Sequence, residues 1–248
     1  MAASSSHDYA PLIRKLESTL QLTEAERQGI ASLPLQVQSL RADQDIVRVG
    51  DRPSRSCVVL SGYTATYKVT GDGKRQIHAW HIPGDVPDLQ SLHLRVLDSS
   101  IVTLTPSRVG FVTHDDLRVL CRAEPRIMEV FWRQTLIDGA IFREWMTNIG
   151  RREAYNRLAH ILCEWMVRLR AVGLTDGSAC ELPMTQAELA DAMGVTTVHV
   201  NRVLQELRAD GLISLKGSRL EILDWEQLQQ VADFDPTYLH QDPGEAAA

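Results

Sequence analysis

Cysteine is scarce in this chain and poorly placed for chemistry. The 248 residues include four, Cys57, Cys121, Cys163 and Cys180. None forms a C-x-x-C pair, and their scatter matches no zinc or iron–sulfur spacing, so buried reduced thiols are expected. Long apolar runs are missing too. No stretch is long enough to span a bilayer, and the opening MAASSSHDYA has no apolar signal core, which points to a cytoplasmic protein without a membrane partner. The chain has no global positive field: 26 Lys and Arg face 32 Asp and Glu, a formal net charge of −6. Any nucleic-acid contact must come from a local patch. No nucleophile–base constellation is visible, so no catalytic residue is assigned, the chain is not read as an enzyme, and no metal or cofactor is identified.

What is present is a soluble globular composition, 44% apolar and 23% charged, in a chain long enough for one large or two modest domains. The stretch Met184–Lys216 carries the strongest signal. Thr185 and Glu188 form a Thr-x-x-Glu capping box, with Met184 and Leu189 at the staple positions around it. Gly194 ends this first helix, where positive φ is easiest to place. Thr196 caps a second. Leu189, Met193, Val195, Val200, Val203, Leu204 and Leu207 then share one small core, which is a helix-turn-helix pattern. The second helix keeps Thr197, Val198, Asn201, Arg202 and Gln205 on one outward side. Asn and Arg suit adenine and guanine edges, and Val suits a thymine methyl. With the flanking Gln186 and His199 and the caps Thr185 and Thr196, these residues form the candidate DNA interface. The competing reading is a helical hairpin with an ordinary solvated face. Ile213–Leu223 reads as a β-hairpin turning at Lys216-Gly217-Ser218, the wing of a winged helix, and Lys216 and Arg219 join the candidate DNA set, with Arg151 and Arg152 as further backbone contacts.

Earlier in the chain the period differs. Residues 1–10 look disordered, and two short helices follow, the second opening on the capping box of Thr23 and Glu26. From Leu35 to Thr113 short β-type runs alternate with turn signals, as in an all-β sandwich or barrel. Residues from Asp115 to Ile149 return to helix, which Pro125 kinks or restarts. The apolar residues there cover more than one stripe, so one side faces the chain's own core and the other needs a partner, most simply a second copy. Ile141 and Trp145 are expected at that interface. Asn148-Ile149-Gly150 is expected to be a hinge, Gly173–Pro183 a loop, and Asp224 the cap of a last helix. The division expected is 1–114 for helices and β-roll, 115–150 for a dimerisation helix, 151–232 for the winged helix and 233–248 for a disordered tail.

This order of an N-terminal β-roll (a cupin-like jelly roll), a long helix and a C-terminal winged helix-turn-helix, an α+β chain, resembles the Crp/Fnr superfamily of bacterial transcription regulators. Leu60-Ser61-Gly62, Pro83-Gly84-Asp85 and Gly194–Leu207 followed by Asp210-Gly211-Leu212-Ile213 carry the resemblance. It implies a homodimer that places one recognition helix in each half-site of an inverted repeat on double-stranded DNA, with RNA polymerase as a further partner if the protein activates. Cyclic-nucleotide-binding members use a glutamate for the ribose and an arginine for the cyclic phosphate. Alignment puts Leu89 and Asp98 there, so cyclic AMP is not the expected effector. Gly84, Asp85, Asp88, Leu89, Gln90 and Ser91 remain the candidate pocket for an unknown small-molecule effector. Oxygen-sensing members carry an N-terminal cysteine cluster, whereas no cysteine precedes Cys57 here. Haem-binding members exist, and His78, His81, His93 and His114 are available, although His78 and His81 on one strand point to opposite faces. Many members have glutamate one place after Thr197, where this chain has Val198, while Arg202 matches the family's base-reading arginine. The alternative is a cupin-like small-molecule-binding protein whose winged helix mediates protein contacts. It would need clustered His and Glu ligands, and His78-Ala-Trp-His81 lacks the two-apart spacing for them.

Overall fold

The computed structural model describes residues 6–241, and no helix among them is long and apolar enough to cross a membrane. Of these residues, 6–68, 79–139 and 240–241 form one compact unit, while Val69–His78 and Ala140–Leu239 form another. Compactness thus divides the chain inside its longest helix, between Gly139 and Ala140.

In the first unit, a 3-10 turn at Ser6–Tyr9 leads into α1 (Ala10–Glu17). The expected disorder therefore does not hold from residue 6 onward; residues 1–5 lie outside the described part. Tyr9 is buried and its hydroxyl donates to the Leu33 carbonyl, an anchor that a run of small polar residues conceals. α2 (Glu24–Ala31) starts on the expected capping box, with the Thr23 amide donating to Glu26 at 2.7 Å and the Glu26 amide to Thr23 at 3.3 Å. Seven strands follow along the chain: β1 (Gln36–Leu40), β2 (Asp45–Val47), β3 (Arg55–Ser61), β4 (Thr64–Val69), β5 (Arg75–His81), β6 (Ser100–Thr103) and β7 (Ser107–Thr113), of which Val69 and the part of β5 up to His78 belong to the second unit. They pair as two sheets, β1-β7-β3 and β2-β6-β4-β5, with β7 antiparallel to β1 and β3, and β6 antiparallel to β2 and β4.

The run Cys57-Val58-Val59-Leu60 is apolar throughout because β3 is covered on both faces. Cys57 packs with Val109, Phe111 and Ile46, toward the second sheet. Val58, Leu60 and Val112 face the helices, packing with Leu12 and Leu16 of α1, Ile30 of α2 and the two helices that follow the roll. Alternation along the strand makes both contacts at once. α3 (His114–Ala123) is capped by Thr113, and α4 (Pro125–Arg151) restarts after it with proline at the first helical position, where the missing N–H costs nothing.

The turn Pro83-Gly84-Asp85 and the residues after it seal the outer edge of β3. The Gly84 amide donates to the Val59 carbonyl at 2.7 Å, the Val59 amide to Asp85 O at 3.0 Å, and the Cys57 amide to Asp88 Oδ1 at 2.8 Å. An uncovered strand edge would leave these groups unpaired. Gly84 has φ +99°, and a Cβ there would stand 2.3 Å from the Pro11 carbonyl oxygen, so no other residue lets α1 lie this close. The buried pair Lys15–Asp85, 3.3 Å apart, completes the attachment.

In the second unit α4 runs unbroken through Asn148-Ile149-Gly150, so that segment is not the expected hinge. The break falls at Arg152-Glu153, before α5 (Ala154–Ala171). The expected loop Gly173–Pro183 contains two short strands, β8 (Thr175–Asp176) and β9 (Ala179–Glu181). They extend the wing strands β10 (Ile213–Lys216) and β11 (Arg219–Ile222) into a sheet ordered β10-β11-β9-β8. α6 (Gln186–Met193) and α7 (Thr197–Ala209) pack on α5, and α8 (Trp225–Ala232) closes the unit with Asp224 as its cap.

The stretch expected to be a tail from Asp233 is ordered through Gln241. Phe234 and Leu239 are buried, and the Tyr238 hydroxyl donates to Glu164 at 2.8 Å. The same carboxylate accepts the indole N–H of Trp145 at 3.0 Å and Arg168 at 3.3 Å. Residues 242–248 lie outside the described part. Trp145 and Ile141, expected at an intermolecular interface, are instead 3% and 4% exposed, inside the chain's own core. The exposed large apolar residues of α4 are Trp132, Leu136, Phe142, Met146 and Ile149.

Burial pushes the Asp88 carboxyl up from 3.8 to about 7. Between those values the folded chain holds a proton that the unfolded chain has lost. Stability should therefore fall as pH rises from about 4 to about 7, by at most about 1.4 kcal/mol per unit, and level off above. Asp88→Asn keeps an acceptor for the Cys57 amide and removes the titration. Urea midpoints at pH 4.5 and 7.5 should drop less for the variant than for the parent, and equal drops would exclude Asp88 as the cause.

Candidate nucleic-acid interface

α6 opens on the expected box: the Glu188 amide donates to Thr185 Oγ1 at 3.2 Å, and the Thr185 amide to Glu188 Oε2 at 2.7 Å. Glu188 is held in this reciprocal bond although it is buried. Gly194 sits at φ +67° and turns the chain into Thr196, whose hydroxyl caps α7 through the His199 amide at 3.3 Å. The positive φ favours glycine at this turn. Leu189, Met193, Val200, Val203, Leu204 and Leu207 are buried between the two helices and α5, with Val195 half-buried beside them. That packing orients the opposite face of α7. Thr197, Val198, Arg202 and Gln205 are exposed there, Val198 to 81%, and Asn201 and His199 are half-buried.

The polar side chains of this face are already ordered. Gln205 donates to Asn201 Oδ1 at 2.8 Å, and Asn201 donates to Gln186 Oε1 at 3.1 Å. This chain of amides ties α7 to the first turn of α6. Arg202 lies 3.1 Å from the His199 ring nitrogen and 3.6 Å from Glu206. All of these groups are accessible, so the bonds are weak and exchangeable. The wing supplies Lys216, opposite Arg219 in the β10–β11 ladder, with Gly217-Ser218 as the turn between. Arg219 is paired with Asp176 at 3.1 Å across the sheet. Arg152 is withdrawn from the expected basic set: it is half-buried and bound to Glu144 at 2.7 Å. Arg151 stays exposed.

The six residues named for an effector pocket have different surroundings. Gly84 and Asp85 hold α1, and Asp88 seals the β3 edge. Leu89 belongs to the apolar core below the helices, and Ser91 bonds the His114 ring at 3.0 Å. Leu89 and Gln90 border one concavity, Ser91 a second and Asp88 a third. Asp98 lies on the surface, paired with Lys68 at 3.0 Å. His81 bonds Thr66 at 2.7 Å inside the roll, and among the described residues no group of three or more His, Cys, Asp or Glu side chains is arranged to hold a metal ion. All four cysteines are buried thiols, and burial pushes Cys163 and Cys180 up to about 12. The sequence reading missed the Gln186–Asn201 link. Its only trace was an amide at the first position of α6, fifteen residues before a partner of the same type.

Comparison with known proteins agrees with this architecture. Residues 37–124 match the cyclic nucleotide-binding domain, and residues 156–231 match the Crp-like helix-turn-helix domain. The transcriptional activator protein FnrA of Stutzerimonas stutzeri is 26% identical over 189 residues, covering 75% of each chain. The transcriptional activator protein FnrL of Cereibacter sphaeroides is 26% identical over 204 residues, 79% of this chain and 80% of that one. The structure of FixK2 from Bradyrhizobium japonicum superposes with a TM-score of 0.73 at 25% identity, covering 80% of this chain and 98% of that one. Both domains, in this order and with relatives aligned across them, place the chain in the Crp/Fnr family of DNA-binding transcription regulators.

Proposed function

We propose that the protein is a homodimeric, cytoplasmic, non-enzymatic regulator that reads an inverted-repeat DNA site with α7, and that it activates transcription through RNA polymerase. The observation that carries the reading is the outward face of α7: Thr197, Val198, Arg202 and Gln205 exposed on a helix whose other face is core. Activation rests on the relatives FnrA and FnrL, which are activators by name.

Arg202, with Asn201, Thr197 and Val198, contacts bases, while Lys216, Arg219 and Arg151 contact phosphates. Thr185 and Thr196 act mainly as caps and present helix N-termini to the backbone. Two-fold symmetry spaces the half-sites about 34 Å apart, one turn of DNA. Arg202 bonded to guanine O6 and N7 is worth about 1–3 kcal/mol of discrimination per half-site. Site selection from a random library should show relaxed preference at one symmetric pair of positions for Arg202→Ala. Lys216→Ala should weaken all sequences about equally and flatten the salt dependence. An identical consensus from parent and Arg202→Ala would remove Arg202 from base reading.

The dimer reading draws on α4. Trp132, Thr135, Gly139, Phe142, Met146 and Ile149 follow one another at alternating three- and four-residue steps, the spacing of a coiled-coil seam. Trp132 and Met146 are 66% and 69% exposed, which leaves this seam for a second copy. Phe142→Glu with Met146→Glu should halve the mass measured by light scattering and preserve the helical circular-dichroism signal. A monomeric parent would overturn the proposal.

The effector is not a cyclic nucleotide. Leu89, standing where the ribose-binding glutamate would, is core, and Asp98, standing where the phosphate-binding arginine would, is a carboxylate already paired with Lys68. Calorimetry with cyclic AMP and cyclic GMP should give no heat of binding in the micromolar range; a saturable isotherm would contradict this.

A further inference from the structure

A second concavity of the first unit has a different chemistry. Its volume is about 550 Å³, and three segments meet around it: the β2–β3 connection at Arg52–Ser54, the residues Ser91–Arg95 within the β5–β6 connection, and the start of α3 from His114 to Arg118. Its charged lining is three guanidiniums, Arg52, Arg95 and Arg118, against one carboxylate, Asp115, in a chain whose net charge is −6. Asp115 is committed to Arg118 at 3.0 Å, and Arg118 also donates to the Leu92 carbonyl at 3.0 Å. Among the described residues neither Arg52 nor Arg95 has an ion-pair partner. The floor is buried and polar: Ser91 Oγ and His114 Nε2 lie 3.0 Å apart, with Ser56 Oγ 3.4 Å behind them. His93 stands exposed on the rim.

Like charges gathered in one concavity repel one another unless a counter-charge enters. The field is felt by the floor residue. The His114 imidazole titrates below its usual value, first because it is buried and then because Arg118 stands close, with Asp115 opposing the shift and His93 adding to it.

We propose that this cavity binds a small oxyanion with two or more charges, a phosphate or a polycarboxylate, held by Arg52, Arg95 and Arg118 over the Ser91–His114 floor. Such a ligand joins the β2–β3 connection, the Ser91–Arg95 segment and α3, so it orders one part of the roll at the root of the helices that follow. The inference does not depend on how α7 reads DNA, since binding is measured on the full-length protein alone.

Inorganic phosphate and citrate serve as separate probes, with sodium chloride at matched ionic strength as the control. The readouts are calorimetry and the proton NMR signal of the His114 ring. Either oxyanion should bind saturably and raise the His114 midpoint, because a neighbouring anion favours the imidazolium. The stronger of the two identifies the ligand class. Arg52→Gln and Arg95→Gln should each weaken binding about tenfold, as expected for loss of a charge-assisted bond. Arg122→Gln, on α3 outside the cavity lining, should leave it unchanged, and thermal melts check that each variant is folded. Effects equal to those of chloride, or binding unchanged in both Arg52→Gln and Arg95→Gln, would overturn the proposal.

Discussion

The buried carboxylate of Glu164 is the constraint on which the second unit depends. It lies on α5 at 2% exposure and accepts from Trp145 of α4, from Arg168 one turn along α5 and from Tyr238 beyond α8. A carboxylate this buried is tolerated only when its lone pairs are filled, and removing one partner of such a set costs several kcal/mol because the charge remains. Around it stands a second layer. His160 approaches Tyr238 at 3.2 Å and Glu144 at 3.6 Å, its ring meets Phe234 edge-on at 5.1 Å, and Arg152 holds Glu144. Burial, then the nearby Arg152, keep the His160 ring below its usual titration point, which suits a neutral imidazole in this box. The result is that the end of α4, the body of α5 and the segment after α8 cannot shift separately.

That constraint explains why α4 has two apolar stripes with different fates. Trp145 is turned inward by its bond to Glu164, and Ile141, one turn before it, goes with it. The stripe left over is Trp132, Phe142, Met146 and Ile149. Total apolar content showed that the helix had a surplus, but which residues made up the surplus depended on a polar partner nineteen positions away. Helical periodicity alone assigns phase only when one stripe dominates.

The same division between local and distant causes runs through the rest of the chain. The capping boxes at Thr23 and Thr185, the left-handed Gly194, the caps Thr196 and Asp224 and the wing turn at Gly217-Ser218 were readable because each involves residues within a few positions. The β-roll could be recognised as a class from alternation and turns, and the order of its parts gave the family. Its pairings could not be read, since β1 and β3 both lie against β7 from opposite sides of a long interval. The ordered stretch after Asp233 was hidden because its anchors, Glu164 and His160, stand more than seventy residues earlier. The Pro83-Gly84-Asp85 motif was legible as a turn, but its work of sealing β3 and seating α1 became visible only in three dimensions. For the same reason nothing in the sequence links Arg52, Arg95 and Arg118, which lie far apart along the chain and share one cavity only in the folded structure.

The outward face of α7 combines both kinds of information. Its composition is local, and its orientation is imposed by Leu189, Met193 and the α5 side chains beneath it. Its amides satisfy one another from Gln205 through Asn201 to Gln186, which braces α7 against α6. Exchanging those accessible bonds for bonds to bases costs little, because each replaces a contact that water already competes for. Val198 has no such alternative partner. An apolar side chain exposed to 81% gains nothing from water, and a thymine methyl is the group in the major groove that would cover it. In the base-reading role proposed for this face, its polar members would give adjustable contacts and Val198 a fixed preference, and the DNA sequence chosen should follow both.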